Sequence, residues 1–224
     1  MEKYLVTKLM KIGLVPSEIN ECVLYKDGMI YVLYTKDYIL TGPNHKQPLR
    51  TIEKIKGTGL NLTNEGNIQD FLGININQLK NGTINMCQPH LIQFVLDDLN
   101  LNKDNAKVNT TPMEKLRILQ GNPKSERFDQ SFNHRSIIGK LGYLGKGSRP
   151  DILYAKHQCA IFAADPSKEH GEAIIWMGKY LHTTKDKGMI YTPKKSQGLR
   201  VYVDAEFSGN WTCDESDDVD KARS

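Results

Sequence analysis

The chain has 224 residues, of which 39% are hydrophobic and 25% charged, with a formal net charge of +4. That is enough chain for one large domain or two small ones with a real core, and the balance excludes a disordered profile. The four cysteines, Cys22, Cys87, Cys159 and Cys213, are too few and too far apart for a disulfide framework or a paired-ligand zinc ribbon.

The mildly basic balance is compatible with a nucleic-acid partner without requiring one. No signal-peptide core follows Met1, and no apolar stretch approaches a membrane span. The expectation is an intracellular protein, cytoplasmic or nuclear, with no membrane partner and no small-molecule cofactor.

Residues 29–40 are rich in β-branched and aromatic side chains, between the turn signals Asp27-Gly28 and Gly42-Pro43-Asn44. They predict two strands that bend near residues 35–37. Residues 46–58 suit a short helix. Residues 67–76 read as one further strand, and Lys80-Asn81-Gly82 as a turn before a strand at 83–86. Ile92, Val95, Leu96 and Leu99 recur at helical spacing after Pro89, a residue suited to a first helical turn.

Residues 100–130 are polar and contain Pro112 and Pro123, so they predict a long connection. Ile137, Leu141 and Leu144 define a second helix. Its Gly139, Gly142 and Gly145 lower helix propensity and point to close packing or a weak helix. Ile152, Ala155, Cys159 and Phe162 define a third helix. Asp165-Pro166 is a break that would cap a fourth, with Ala173, Trp176, Met177, Tyr180 and Leu181 along its apolar stripe. Strands are expected at 189–192 and 199–204, the latter alternating Leu199, Val201 and Val203 against Arg200, Tyr202 and Asp204. The last eleven residues carry five acids and two bases, a solvated tail. Strands, then helices, then strands make an α+β order and not a βαβ wheel.

Two acids stand out by position, Asp37 at the bend between strands and Asp204 at a strand end. Carboxylates projecting from strand ends can hold the paired divalent ions of phosphoryl transfer. One acid alone cannot hold two metals, and an isolated aspartate at such a place more commonly serves a turn or the surface.

Leu33-Tyr34-Thr35-Lys36-Asp37, followed by Ile39-Leu40-Thr41-Gly42, resembles the Tyr-Val-Asp-Asp hairpin of reverse transcriptases. Gly13, Ser17, Cys22 and Tyr25 are similar to the lead-in of copia-type retrotransposon enzymes. Phe71-Leu72-Gly73-Ile74 resembles their Phe-Leu-Gly-Ile strand, near which the primer end is gripped. Residues 88–101 resemble the thumb helix, and Thr111-Pro112-Met113 the connection after it. Further blocks follow in family order: residues 135–144, Arg149-Pro150-Asp151-Ile152, Pro166 with His170, Lys179-Tyr180-Leu181, and Tyr202-Val203-Asp204-Ala205-Glu206. A single block would be weak; a whole series in order and spacing identifies the sequence as resembling copia-type retrotransposon polyproteins.

The resemblance implies three parts. Residues 1–79 would be the C-terminal part of a reverse-transcriptase palm built from β-hairpins. Residues 80–184 would be a helical thumb and connection, and 185–224 a truncated start of ribonuclease H-like strands. It implies Asp37 and Asp204 as catalytic and metal-holding positions, with Mg2+ as the family's ion. It implies Phe71, Leu72 and Gly73 at a primer grip. It also implies Lys140, Arg149 and Lys179, with Lys146, Lys156, Lys185 and Lys187, toward the backbone of an RNA/DNA duplex.

One departure weakens the catalytic reading. Lys36 stands where the family has the first aspartate of its pair. It offers no ligand oxygen, and a cation at ~4 Å from another charge costs about 4 kcal/mol at an effective dielectric near 20. The family's other palm aspartate would precede Met1, and the remaining ribonuclease H carboxylates would follow Ser224. The expectation is a catalytically inactive fragment that binds no Mg2+ productively. The alternatives are a residual nucleic-acid-binding module without sequence preference, and a polymerase completed by another chain.

Overall fold

The computed structural model describes residues 2–35, 37–44, 46–102, 109–114, 118–121, 125–193 and 203. Among them are two antiparallel four-stranded sheets and six α-helices, the α+β class expected from the element order. The chain divides into two compact units, Met1–Phe71 and Leu72–Ser224. The expected strand at 199–204, the acidic tail and Cys213 fall outside the described residues, apart from the lone Val203.

The first unit contains α1 (Glu2–Lys11), β1 (Val15–Pro16), β2 (Val23–Lys26), β3 (Met29–Tyr34), β4 (Asp37–Thr41), α2 (Lys46–Lys56) and β5 (Asp70–Phe71). Strands β1 to β4 form a meander in chain order. Asp27 and Gly28 take φ of 49° and 74°, as a tight two-residue hairpin between β2 and β3 requires. Along β3, Met29, Tyr31 and Leu33 are buried while Ile30 and Tyr34 are exposed. This period of two turns one face onto a core of Leu9, Leu14, Leu24 and Ile55.

Helix α2 starts where the Asn44 carboxamide oxygen accepts the amides of Lys46 and Gln47, and it has Pro48 in its first turn. Helix α1 had no forecast in the sequence. Leu5, Val6 and Leu9 share one side of it, but the stripe is short and interrupted by lysines.

The second unit contains β6 (Ile74–Gln78), β7 (Ile84–Cys87), α3 (Pro89–Asp98), α4 (His134–Gly147), a 3-10 turn (Pro150–Ile152), α5 (Leu153–Ile161), α6 (Lys168–Thr183) and β8 (Met189–Tyr191). Its core joins Ile92, Val95 and Leu96 of α3 with Ile137, Leu141 and Leu144 of α4. Ala155 and Cys159 of α5 and Ile174, Met177 and Leu181 of α6 pack with them. The four stripes read from the sequence supply most of this core, joined by Leu119, Phe132, Ile138 and Ile174, while Trp176 lies outside it.

Close packing explains part of the glycine content. A Cβ on Gly145 would lie 2.5 Å from Cδ2 of Leu153, whereas one on Gly139 would meet nothing within 4 Å. Strand β8 pairs antiparallel with β7, placing Ile84 opposite Tyr191 and Met86 opposite Met189.

Two expectations need correction. Residues 67–76 do not form one strand. Leu72 and Gly73 take φ of 54° and 71° and separate β5 from β6. The apolar run hid a turn because leucine gives no turn signal. The fourth long helix starts two residues later than Asp165-Pro166 implied, with Ser167 at its N-cap. There the backbone N–H of Ser167 donates to Nδ1 of His170 at 2.9 Å, while Pro166 gives its carbonyl to the N–H of Phe128. Among the described residues, no helix is long and apolar enough to cross a membrane.

Candidate functional site

The β3–β4 hairpin sets Tyr34 opposite Asp37, with Thr35 between them at φ 52°. Threonine is β-branched, so this left-handed backbone costs of order 1 kcal/mol. Asp37 is exposed at the head of β4, and Lys36 lies outside the described residues, as does Asp204. Beneath the hairpin tip, the rings of Tyr31 and Tyr38 stack at 5.6 Å and 11°. The Tyr38 hydroxyl donates to the carbonyl of Thr63, whereas the buried Tyr31 hydroxyl has no partner. Burial first, and then the nearby Tyr38, pushes the Tyr31 hydroxyl well above the ordinary tyrosine range. Phe71 ends β5, and Leu72 and Gly73 form the turn that follows.

In the helical unit the sequence-derived cations separate. Lys140 on α4 pairs with Asp98 of α3 at 2.6 Å. Lys179 lies on the wall of a groove of about 800 Å³, which is floored by Met113, Leu119, Ala155, Cys159, Ala173 and Met177. The segment across that groove is held to α6, since Nε1 of Trp176 donates to the carbonyl of Thr111 at 3.0 Å. Burial pushes the Cys159 thiol up to about 12, which makes it a core side chain and not a nucleophile.

Arg149 is the clear correction among the site residues. It was expected against a duplex backbone, yet it is 1% exposed. Its Nε and Nη2 donate to the two carboxylate oxygens of Asp151 at 2.9 and 2.8 Å. Its Nη1 and Nη2 also donate to the carbonyl and hydroxyl of Thr184, both at 2.9 Å. Tyr180 lies against the guanidinium at 5.3 Å and donates its hydroxyl to Asp151 at 2.6 Å. Burial alone would push the Asp151 carboxyl up. The hydrogen bonds from Arg149 and Tyr180 outweigh it and hold that carboxyl below the usual carboxylate range.

Arg149 therefore ties the start of α5 to the end of α6 and has no face left for phosphate. The signal was Asp151, two residues on, whose two oxygens match the guanidinium fork.

Comparison with known proteins finds similarity to retroelement proteins. It is 26% identical over 205 residues to the putative transposon Ty5-1 protein of Saccharomyces cerevisiae, covering 88% of this chain. It is 29% identical over 190 residues to the retrovirus-related Pol polyprotein from transposon RE1 of Arabidopsis thaliana, covering 82%. Against the corresponding polyprotein from transposon TNT 1-94 of Nicotiana tabacum the figures are 27% over 205 residues and 85%.

The chain is a relative of the copia-type retrotransposon polyproteins.

It spans 64% of the length of the yeast protein and 12% and 15% of the two plant polyproteins. No family model matches it, and no solved structure matches it.

Proposed function

We propose that the chain is a non-catalytic piece of a retroelement polyprotein. On this reading, residues 1–79 are the later part of a reverse-transcriptase palm, 80–184 its helical thumb and connection, and 185–224 the start of ribonuclease H. The hairpin carries the proposal. It presents Asp37 in solvent at its tip, and the residue before Asp37 in the sequence is a lysine.

A two-metal centre needs several carboxylate oxygens converging on each ion. Among the described residues no group of three or more His, Cys, Asp or Glu side chains converges in this way, and Asp204 lies outside them. A duplex-binding module is the weaker alternative, because Arg149 is turned inward and Lys140 is paired with Asp98.

The test is primer extension on an RNA template with magnesium or manganese. Extension is expected at background for the chain and for Lys36→Asp, because one added carboxylate does not position a nucleotide. Clear extension that Asp37→Ala abolishes would overturn the proposal.

A further inference from the structure

Residues 125–133 run as a strap over the N-terminal ends of α4 and α6. Two backbone hydrogen bonds tie the strap to the start of α6: Phe128 N–H to the Pro166 carbonyl at 3.1 Å, and Lys168 N–H to the Glu126 carbonyl at 2.8 Å. Arg127 and Ser167 form the bridge between them. Phe128 is seated against Gly171, where a Cβ would come within 2.5 Å of its ring. The strap is therefore closely fitted and depends on one glycine.

Two histidines lie beneath it. His134, the first residue of α4, is 5% exposed, and neither of its ring nitrogens has a hydrogen-bond partner. Its surroundings are aromatic: the Phe128 ring at 5.9 Å and the Phe132 ring stacked at 6.5 Å and 12°. His170 is 1% exposed and stacks on Phe162 at 4.1 Å and 6°. Its Nδ1 accepts the N–H of Ser167, so its proton sits on Nε2 and is donated to the Gln120 carbonyl at 3.2 Å. That tautomer is neutral and fully used.

We propose that this strap is a proton-released latch, in which charging His134 inside its aromatic cage drives residues 125–133 off α4 and α6. An imidazolium at position 134 would be a buried cation without an acceptor, at the positive end of the α4 dipole and close to His170.

The charged groups on the packed elements do not relieve it. Glu126 of the strap is paired with Lys168 of α6 at 2.8 Å, and Asp129 accepts the N–H of Ser131. Arg127 and Arg135 add positive charge, Asp165 is exposed in the loop after α5, and Glu169 acts on His170. Of all these, His170 alone adds to burial in shifting His134, and both push the imidazole below its ordinary range. A neutral cage is thus stable near pH 7, and expelling the strap is the direct way to hydrate a charge placed within it.

The experiment is hydrogen exchange on the whole chain between pH 7.5 and pH 5, corrected for intrinsic rates. The amides of Phe128 and Lys168 should lose protection at least tenfold more than the amides of α3. His134→Phe, which keeps a ring in the cage and cannot charge, should abolish that difference. An unchanged loss in His134→Phe would overturn the proposal, as would uniform loss across the second unit. Should that variant not fold, the ring resonances of His134 in the unaltered chain decide. Their midpoint should lie below 6.5 and coincide with strap exchange, and a midpoint at or above 6.5 refutes the latch.

Discussion

The sheet unit leaves Asp37 in solvent and buries the Tyr31 hydroxyl without a partner. The helical unit draws Arg149 inside and occupies its guanidinium with Asp151 and Thr184. A buried polar group costs little when its bonds are made and roughly 1–3 kcal/mol when one is missing. Tyr31 and Arg149 therefore sit on opposite sides of one rule, and His134 of the helical unit falls on the same side as Tyr31. The lesson for function is that a basic residue in the sequence need not face a partner, since its neighbours decide.

The contrast can be broken most directly at Arg149. Arg149→Ala should destabilise the helical unit by about 3 kcal/mol, the low end for removing one partner of a buried pair because Asp151 is partly solvated. Arg149→Met should lose less, since it keeps much of the volume. Urea unfolding measures both, and a loss no larger than that of Lys146→Ala would show that the network is idle.

A second comparison lies within α4. Gly145→Ala should cost about 2 kcal/mol by forcing Leu153 aside, while Gly139→Ala should gain up to about 1 kcal/mol from helix propensity alone. Equal effects at the two sites would remove the close-packing account of Gly145.

Tyr31→Phe sharpens the other side of the contrast. Deleting a hydroxyl that has no partner should stabilise the sheet unit by about 1 kcal/mol. The folded state holds Tyr31 above its ordinary value of 10.0, so above pH 10 the unfolded chain releases a proton that the folded one keeps. Stability from this group is full below pH 10 and falls as pH rises, and Tyr31→Phe should remove that alkaline loss. Segment-resolved hydrogen exchange at pH 9 and pH 11 reads it.

The smallest effect is at the acid end of the helical unit. Asp151 is held below its ordinary value of 3.8, so its contribution is present above pH 3.8 and disappears as pH falls through its folded value. Asp151→Asn should flatten the stability profile there, as followed by circular dichroism.

Much of the fold could be read because hydrophobic periodicity is local. The stripes at 92–99, 137–144, 152–162 and 173–181 marked α3 to α6, and the β-branched run at 29–40 marked the hairpin with Asp37 at its bend. What escaped depends on tertiary partners. Leu72 turns the chain with a residue that reads as strand, and α1 is defined by the sheet it covers more than by its own pattern. Arg149 looked like a surface cation because its sequence neighbours could not show Thr184 and Tyr180 closing on it. His134 passed unnoticed because its cage forms only when the strap carrying Phe128 and Phe132 is held against the start of α6.

The pairing of β7 with β8 has a consequence for how the second unit can be handled. Ile84 and Tyr191 are opposite one another, so a segment of more than a hundred residues begins and ends within about 5.5 Å. Gly188 makes this possible, since any Cβ there would collide with the Met86 carbonyl. A segment whose two ends meet in one ladder can be spliced into a surface loop of another protein, or reconnected with new termini, without stretching either backbone. The helical block is thus already shaped as a transplantable cassette, with β7 and β8 as its seam.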